Sequence, residues 1–334
     1  MPISDRAEWR RHWAGLLLAI VCILPVVSLN YYVNPVGLFG PPRHRAINRF
    51  TPLYASGIVS EFARPSFYDD TVADQATDVF LFGNSRAAHG LDTCGHPVAR
   101  VTGAGWGFAE FSPLIRQALT RRKRKATILL ELPLVESSAF AEPRAGLDDL
   151  IYAALAPRVT RASIETVLAN LPYRGQSRTS VAANCAADKI AGPVAPTSAD
   201  PATERSAYAH PDPVAYARNL AGLRRTVEGA DEECRRSGIQ HSIIFYRMPP
   251  TWYVTADMLA VNRRSAADIQ SVITPRRRGA ACEIRFADFV ERPPGSTADR
   301  AKWSDPSLWL DTGHPSPALG KLILPALLAG SGAE

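Results

Sequence analysis

The chain contains no internal repeat, no CxxC cysteine pair and no histidines at metal-ligand spacing. The first absence excludes solenoids and propellers. The others argue against a zinc site and imply that no metal is bound. Basic residues are dispersed rather than gathered into a recognised nucleic-acid module, so nucleic acid is not an expected partner. A formal net charge of +6 still suits an anionic partner such as a membrane surface or an acidic polysaccharide, without choosing among them.

Charge is missing altogether from Trp13 to Val33. That run is close to the ~20 apolar residues that span a bilayer, and it predicts a transmembrane anchor over residues 13–33. Residues 1–12 then form a cytoplasmic N-terminus, because Arg6, Arg10 and Arg11 favour the inner side. Tyr31 and Tyr32 fall at the far interface. A cleaved signal peptide is the alternative, but no A-x-A site follows the run. A buried soluble helix is the other. The expected localisation is the cytoplasmic (inner) membrane, single-pass, with the remaining chain periplasmic or otherwise extracytoplasmic. There the four cysteines beyond the anchor, Cys94, Cys185, Cys234 and Cys282, can form disulfides in any of three pairings, with free buried thiols as the alternative.

The 334 residues and 46% hydrophobic content suffice for one sizeable domain, or one with an elaborated insertion. Residues 34–77, opening NPVGLFGPPRHRAINRF, read as a juxtamembrane connection. Residues 78–330 read as an α/β domain. Short apolar runs at 78–82, 98–102, 126–132, 239–246 and 282–286 predict buried strands, with helical spacing over 108–119, 213–237, 255–276 and 316–329 between and after them. Alternation of this kind predicts a central parallel sheet. Residues 133–212, helical near 147–171 and otherwise Ala/Pro-rich and polar, read as an insertion or lid. The basic run RRKRK at 121–125 closes a helix and is expected to be solvated there, complementing the macrodipole.

Two segments carry chemistry. In FLFGNSRAAHGLD (80–92) an apolar strand runs into a Gly-Asn-Ser turn, and the small Gly83 permits a sharp strand-to-helix turn that presents Ser85. In LWLDTGHPSPALG (308–320) Asp311 and His314 precede the last helix. Ser85 as nucleophile, His314 as base and Asp311 as its orienting partner form a triad defined by roles rather than chain order.

GNSR with a distant D-x-x-H resembles the SGNH (GDSL-like) hydrolase superfamily, in the membrane-anchored branch of bacterial cell-envelope proteins related to polysaccharide O-acyl modification. The resemblance implies a three-layer sandwich around a parallel sheet, flavodoxin-like in arrangement, and no cofactor. It implies that Ser85 and Gly105, in GAGWGFAEF, supply backbone N–H groups to the oxyanion hole, with Gly103 as the fallback. It further implies a serine esterase or O-acyltransferase acting on acylated glycans or polysaccharides, alongside envelope acylation or export machinery. Two departures stand out. Asn84 replaces the usual Asp, and LLELPLVESS (129–138) occupies the place of the G-x-N-D block.

Each residue has a plainer reading. A Ser after Gly-Asn serves turns, and Asp311 with Gly313 makes an ordinary turn before Ser316 as a helix cap. His89 and His96 are alternative bases, Arg86 a turn clamp or anion contact, and Glu131 and Arg247 strand-end candidates for a pocket. The rival function is a non-catalytic protein of the same fold that binds polysaccharide or scaffolds an envelope complex.

Overall fold

The computed structural model describes residues 3–35, 37, 39, 68–103, 106–132, 150–151, 154–173, 209–274, 281–310 and 313–329. Its elements are α1 (Ile3–Val33), α2 (Asp69–Ala73), β1 (Val79–Gly83), α3 (Ser85–Gly90), β2 (Val98–Thr102), α4 (Phe108–Thr120) and β3 (Thr127–Glu131). There follow α5 (Pro157–Asn170), α6 (Pro213–Ser237), β4 (Ser242–Arg247), α7 (Ala256–Ile273), β5 (Glu283–Asp288), α8 (Thr297–Lys302) and α9 (Pro317–Leu328). They fall into two compact units, Met1–Phe67 with Pro143–Gly175, and Tyr68–Glu142 with Gln176–Glu334.

In the first unit the stretch Glu8–Val33 of α1 is long and apolar enough to cross a membrane. Its Leu16, Leu17, Leu18, Val21 and Leu24 side chains are exposed. The free Cys22 lies on the same stretch. Near its end Asn30 is fully buried and meets α5. Helix α5 of the proposed insertion or lid thus belongs to the same unit as the apolar span.

The second unit is an α/β domain on a five-stranded sheet, all parallel, in the order β2-β1-β3-β4-β5. Strands β1, β3 and β4 are buried on both faces, and apolar runs of five or six residues suffice for them. In-register pairing, Val79 with Val98 and Thr127, and Thr127 with Ser242, aligns the carboxyl ends along one edge. Order reverses at β1, flanked by β2 and β3, and the crevice beside such a switch is where open parallel sheets place ligands.

Helix ends follow local chemistry. Asp212 accepts the Val214 N–H at 2.9 Å, Pro213 opens α6, and Gly238 closes it at φ 68°. A disulfide joins Cys234, at the end of α6, to Cys282, ahead of β5, with Cα atoms 5.4 Å apart. Cys94 is also disulfide-bonded, to a partner outside the described residues.

The second unit begins at Tyr68, with α2 part of it, and the Tyr68 hydroxyl donates to the Thr102 carbonyl at 2.7 Å. One sequence expectation needs correction, for the basic run is not uniformly solvated. Arg122 turns inward, donates to the carbonyls of Thr77 (2.7 Å) and Val72 (2.8 Å), and stacks over the Phe80 ring at 4.7 Å. The guanidinium thereby satisfies two buried carbonyls.

Candidate active site

Ser85 is the first residue of α3, immediately beyond the carboxyl end of β1. Asn84 caps the helix, its Oδ1 accepting the Arg86 N–H at 2.8 Å. The turn is made without a left-handed residue, since Gly83 has an ordinary φ. Gly83 is required for space instead. A Cβ there would overlap Ala87 and reach Glu131 at 3.3 Å. The first turn of α3 therefore folds directly over the end of β1 and lifts Ser85 clear, leaving it partly exposed.

His314 arrives from the other end of the chain. Its loop is closed by Leu310 N–H donating to the His314 carbonyl at 2.8 Å and by a bridge between Trp309 and Pro315. Trp309 is anchored in turn by Nε1 donating to the Trp303 carbonyl at 3.1 Å. What sets the loop against α3 is a close crossing of backbones. A Cβ on Gly320 of α9 would strike the Gly90 carbonyl and Leu91, and one on Gly90 would meet Pro315 at 2.6 Å. The outcome is a hydrogen bond of 2.8 Å between Ser85 Oγ and His314 Nε2. With the imidazole proton on Nδ1, the hydroxyl donates and Nε2 is poised to take its proton.

Beneath the turn lies a buried polar group that the sequence alone did not place. Glu131, at the end of β3, is level with Gly83 and almost inaccessible. Burial pushes its carboxyl up to about 7, against the opposing pull of the Arg86 charge and the Ala87 N–H. Arg86 Nε stands 3.6 Å from Glu131, and Arg86 Nη2 donates to the Pro249 carbonyl after β4. The Tyr246 phenol, also buried, is pushed well above its usual range by burial and then by Glu131.

The remaining candidates sort by position. Arg86 is buried as a clamp of the turn. Glu131 likewise supports the turn from below and does not line an open pocket. Arg247 is spent on Ser265 Oγ (2.7 Å), the Asn262 carbonyl (3.0 Å) and Asp288 (2.6 Å), which tie β4 to α7 and β5. His96 precedes the amino end of β2, and β2 runs parallel to β1. It therefore lies about a strand's length, roughly 16 Å, from the Ser85 edge. The His89 side chain, Asp311 and Gly105 lie outside the described residues. The Gly103 N–H donates to the Gly83 carbonyl at 3.2 Å, and a Cβ on Gly103 would enter the Trp106 ring. It is thus a packing glycine and not a spare oxyanion donor. Among the described residues no group of three or more His, Cys, Asp or Glu side chains could hold a metal ion.

Sequence reasoning missed the Gly90–Gly320 crossing. Its signal was present in PALGKL, because a glycine within an apolar helix costs about 1 kcal/mol and calls for a packing reason.

Comparison of the chain with protein-family models, with curated proteins and with solved structures finds no match in any of the three. The function is accordingly argued from the site itself.

Proposed function

We propose that the chain is a membrane-anchored, extracytoplasmic serine esterase or O-acyltransferase of SGNH type, acting on acylated cell-surface or exopolysaccharide glycans. The observation that carries the reading is the 2.8 Å hydrogen bond between Ser85 Oγ and His314 Nε2 at the carboxyl edge of a parallel sheet. These residues are 229 apart in sequence, and a helix-start serine facing an imidazole is the arrangement nucleophilic catalysis needs.

In the proposed reaction Ser85 Oγ attacks the ester carbonyl while His314 Nε2 takes the hydroxyl proton. The oxyanion that forms is held by the Ser85 N–H, which as the first residue of α3 has no carbonyl of its own helix to bond. Gly105 is assigned the second donor and Asp311 the orientation of His314. The C–O bond to the leaving alcohol breaks as His314 returns the proton, leaving an acyl-serine. Water or a glycan hydroxyl, activated by the same imidazole, then takes the acyl group.

The finer architecture is assigned in the same way, as a three-layer, flavodoxin-like sandwich. Its support is the strand order and a cluster joining Leu81, Leu129, Ile244 and Tyr246 to Leu319, Ile323 and Leu324 of α9. Outward placement of the domain is supported by the arginines that precede the uncharged run of α1, Arg6, Arg10 and Arg11, and by the Cys234–Cys282 disulfide, which persists in oxidising compartments.

A scaffolding or polysaccharide-binding role is the second reading. It is favoured by Glu131, a buried carboxyl at the end of β3 where the resemblance calls for a side-chain amide donor shortly beyond. Labelling of the full-length protein with a fluorophosphonate decides between them. The enzyme reading requires labelling of the wild type that disappears in Ser85→Ala. A folded wild type that never labels leaves the scaffold.

A further inference from the structure

Helix α5 is amphipathic in the reverse sense to a helix on a water-soluble core. Its buried face consists of Val159, Ala162, Ser163, Thr166 and Asn170, mostly small or polar. The opposite face presents Ile164 and Leu168, continued by Leu171 just past the helix end, at i, i+4 and i+7, with exposures of 47%, 61% and 48%. Water would select the opposite distribution, and surfaces of this kind mark an apolar environment outside the protein.

The helix is tied to the apolar span by hydrogen bonds on its polar face. Asn30 Nδ2 donates to Thr160 Oγ1 at 2.9 Å and to the Ala154 carbonyl at 3.1 Å, while Ser163 Oγ donates to Asn30 Oδ1 at 2.9 Å. Asn30 is completely buried by this arrangement. It sits three residues before Val33, where the span Glu8–Val33 ends. A helix that crosses a bilayer has its headgroup layer at that level, and Tyr31 and Tyr32 beside Asn30 are the residue type that favours it. The exposed Arg158 and Arg161, the latter paired with Glu165 at 2.6 Å, suit a phosphate-rich layer.

We infer that the outward face of α5 rests in the interfacial layer of the same bilayer that α1 crosses, so that Ile164, Leu168 and Leu171 contact lipid. The inference rests on the reading of α1 as the membrane anchor. Small and polar residues facing α1 with large apolar residues facing outward is the distribution expected where lipid, not water, is the surrounding solvent. The protein thus meets its membrane through a two-helix base held by one asparagine, in place of a single helix on a tether. A soluble partner protein or a second copy of the chain covering the same face would be equally apolar in contact, and the experiment separates those cases from lipid.

Full-length protein is reconstituted in vesicles of phosphatidylethanolamine and phosphatidylglycerol. Bimane is attached in a Cys22→Ser background either to Leu168→Cys or to Leu18→Cys within α1. Quenching by lipids carrying a shallow nitroxide is compared with quenching by aqueous iodide. The expected result is strong lipid quenching and several-fold weaker iodide quenching at both positions. Lipid quenching at 18 combined with iodide quenching at 168 means that α5 faces water. Lipid quenching at 18 with neither quencher acting at 168 means that protein covers the face. Either result overturns the inference while the anchor stands. Loss of lipid quenching at 18 removes the anchor reading and the inference with it.

Discussion

Gly320 of α9 lies directly on the carbonyl of Gly90, with no room for even a methyl group between the two helices. This contact joins the C-terminal segment to the helix that begins with Ser85. It brings Pro315, and hence His314, against α3, so the site depends on a crossing of two backbones at some distance from either functional side chain.

Gly320→Val should therefore damage the site and the fold together. Overpacking at a contact this tight costs about 1–3 kcal/mol. Thermal melting should register that loss, and fluorophosphonate labelling of the fraction still folded should fall as well, because the His314 loop is displaced from Ser85. A variant that melts early yet labels at the wild-type rate would separate the crossing from the site.

His314→Ala should slow labelling of Ser85 by roughly 10²–10⁴-fold, the usual contribution of a positioned general base, without a comparable change in melting temperature. His96→Ala should leave the labelling rate near that of the wild type, since the amino end of β2 is remote from Ser85. Comparing the two rates under one condition is the check.

The buried carboxyl of Glu131 makes stability depend on pH in a definite direction. Its folded pKa of about 7 exceeds the ordinary 4.5, so the folded chain keeps a proton that the unfolded chain gives up. The resulting stabilisation is complete below about 4.5 and is lost as pH rises through about 7, an effect on the order of 3 kcal/mol. Glu131→Gln cannot ionise and should show a flatter dependence in melts compared at pH 5 and pH 8. Arg86→Met should behave in the opposite way. It leaves a buried carboxylate without its counter-charge at pH 8, a loss of about 3–5 kcal/mol, and is tolerated better at pH 5 where Glu131 is protonated.

The Cys234–Cys282 disulfide closes a loop of sequence separation 48, which in the chain-entropy description contributes roughly 4 kcal/mol. Replacing both cysteines by serine should lower the denaturant midpoint accordingly. The Ser85–His314 geometry should survive in the folded fraction, as read by probe labelling, because neither cysteine adjoins it.

Local pattern alone revealed the elements on which the domain is built. The apolar runs around Phe80, Val101, Leu129 and Phe245 all form strands, because a strand buried on both faces must be continuously apolar. Helix α6 runs over the residues its cap, its proline and its closing glycine dictate, Pro213–Ser237. Ser85 and His314 were also legible, since a glycine-bounded turn after a strand and a histidine ahead of a final helix are local signals. The apolar span of α1 was legible for the simplest reason, the absence of charge.

Tertiary structure decided everything that depends on what lies opposite. Arg122 reads as one of five solvated cations until the carbonyls of Val72 and Thr77 are brought beside it. Arg86, Glu131 and Arg247 could each have faced a ligand, and packing buried all three as internal supports. Pairing of Cys234 with Cys282 follows from the adjacency of α6 and β5 rather than from spacing. Sequence determined which residues could act, through local propensity and apolar patterning. Which of them meet was set by long-range packing, where chain segments 229 residues apart arrive within 2.8 Å of each other.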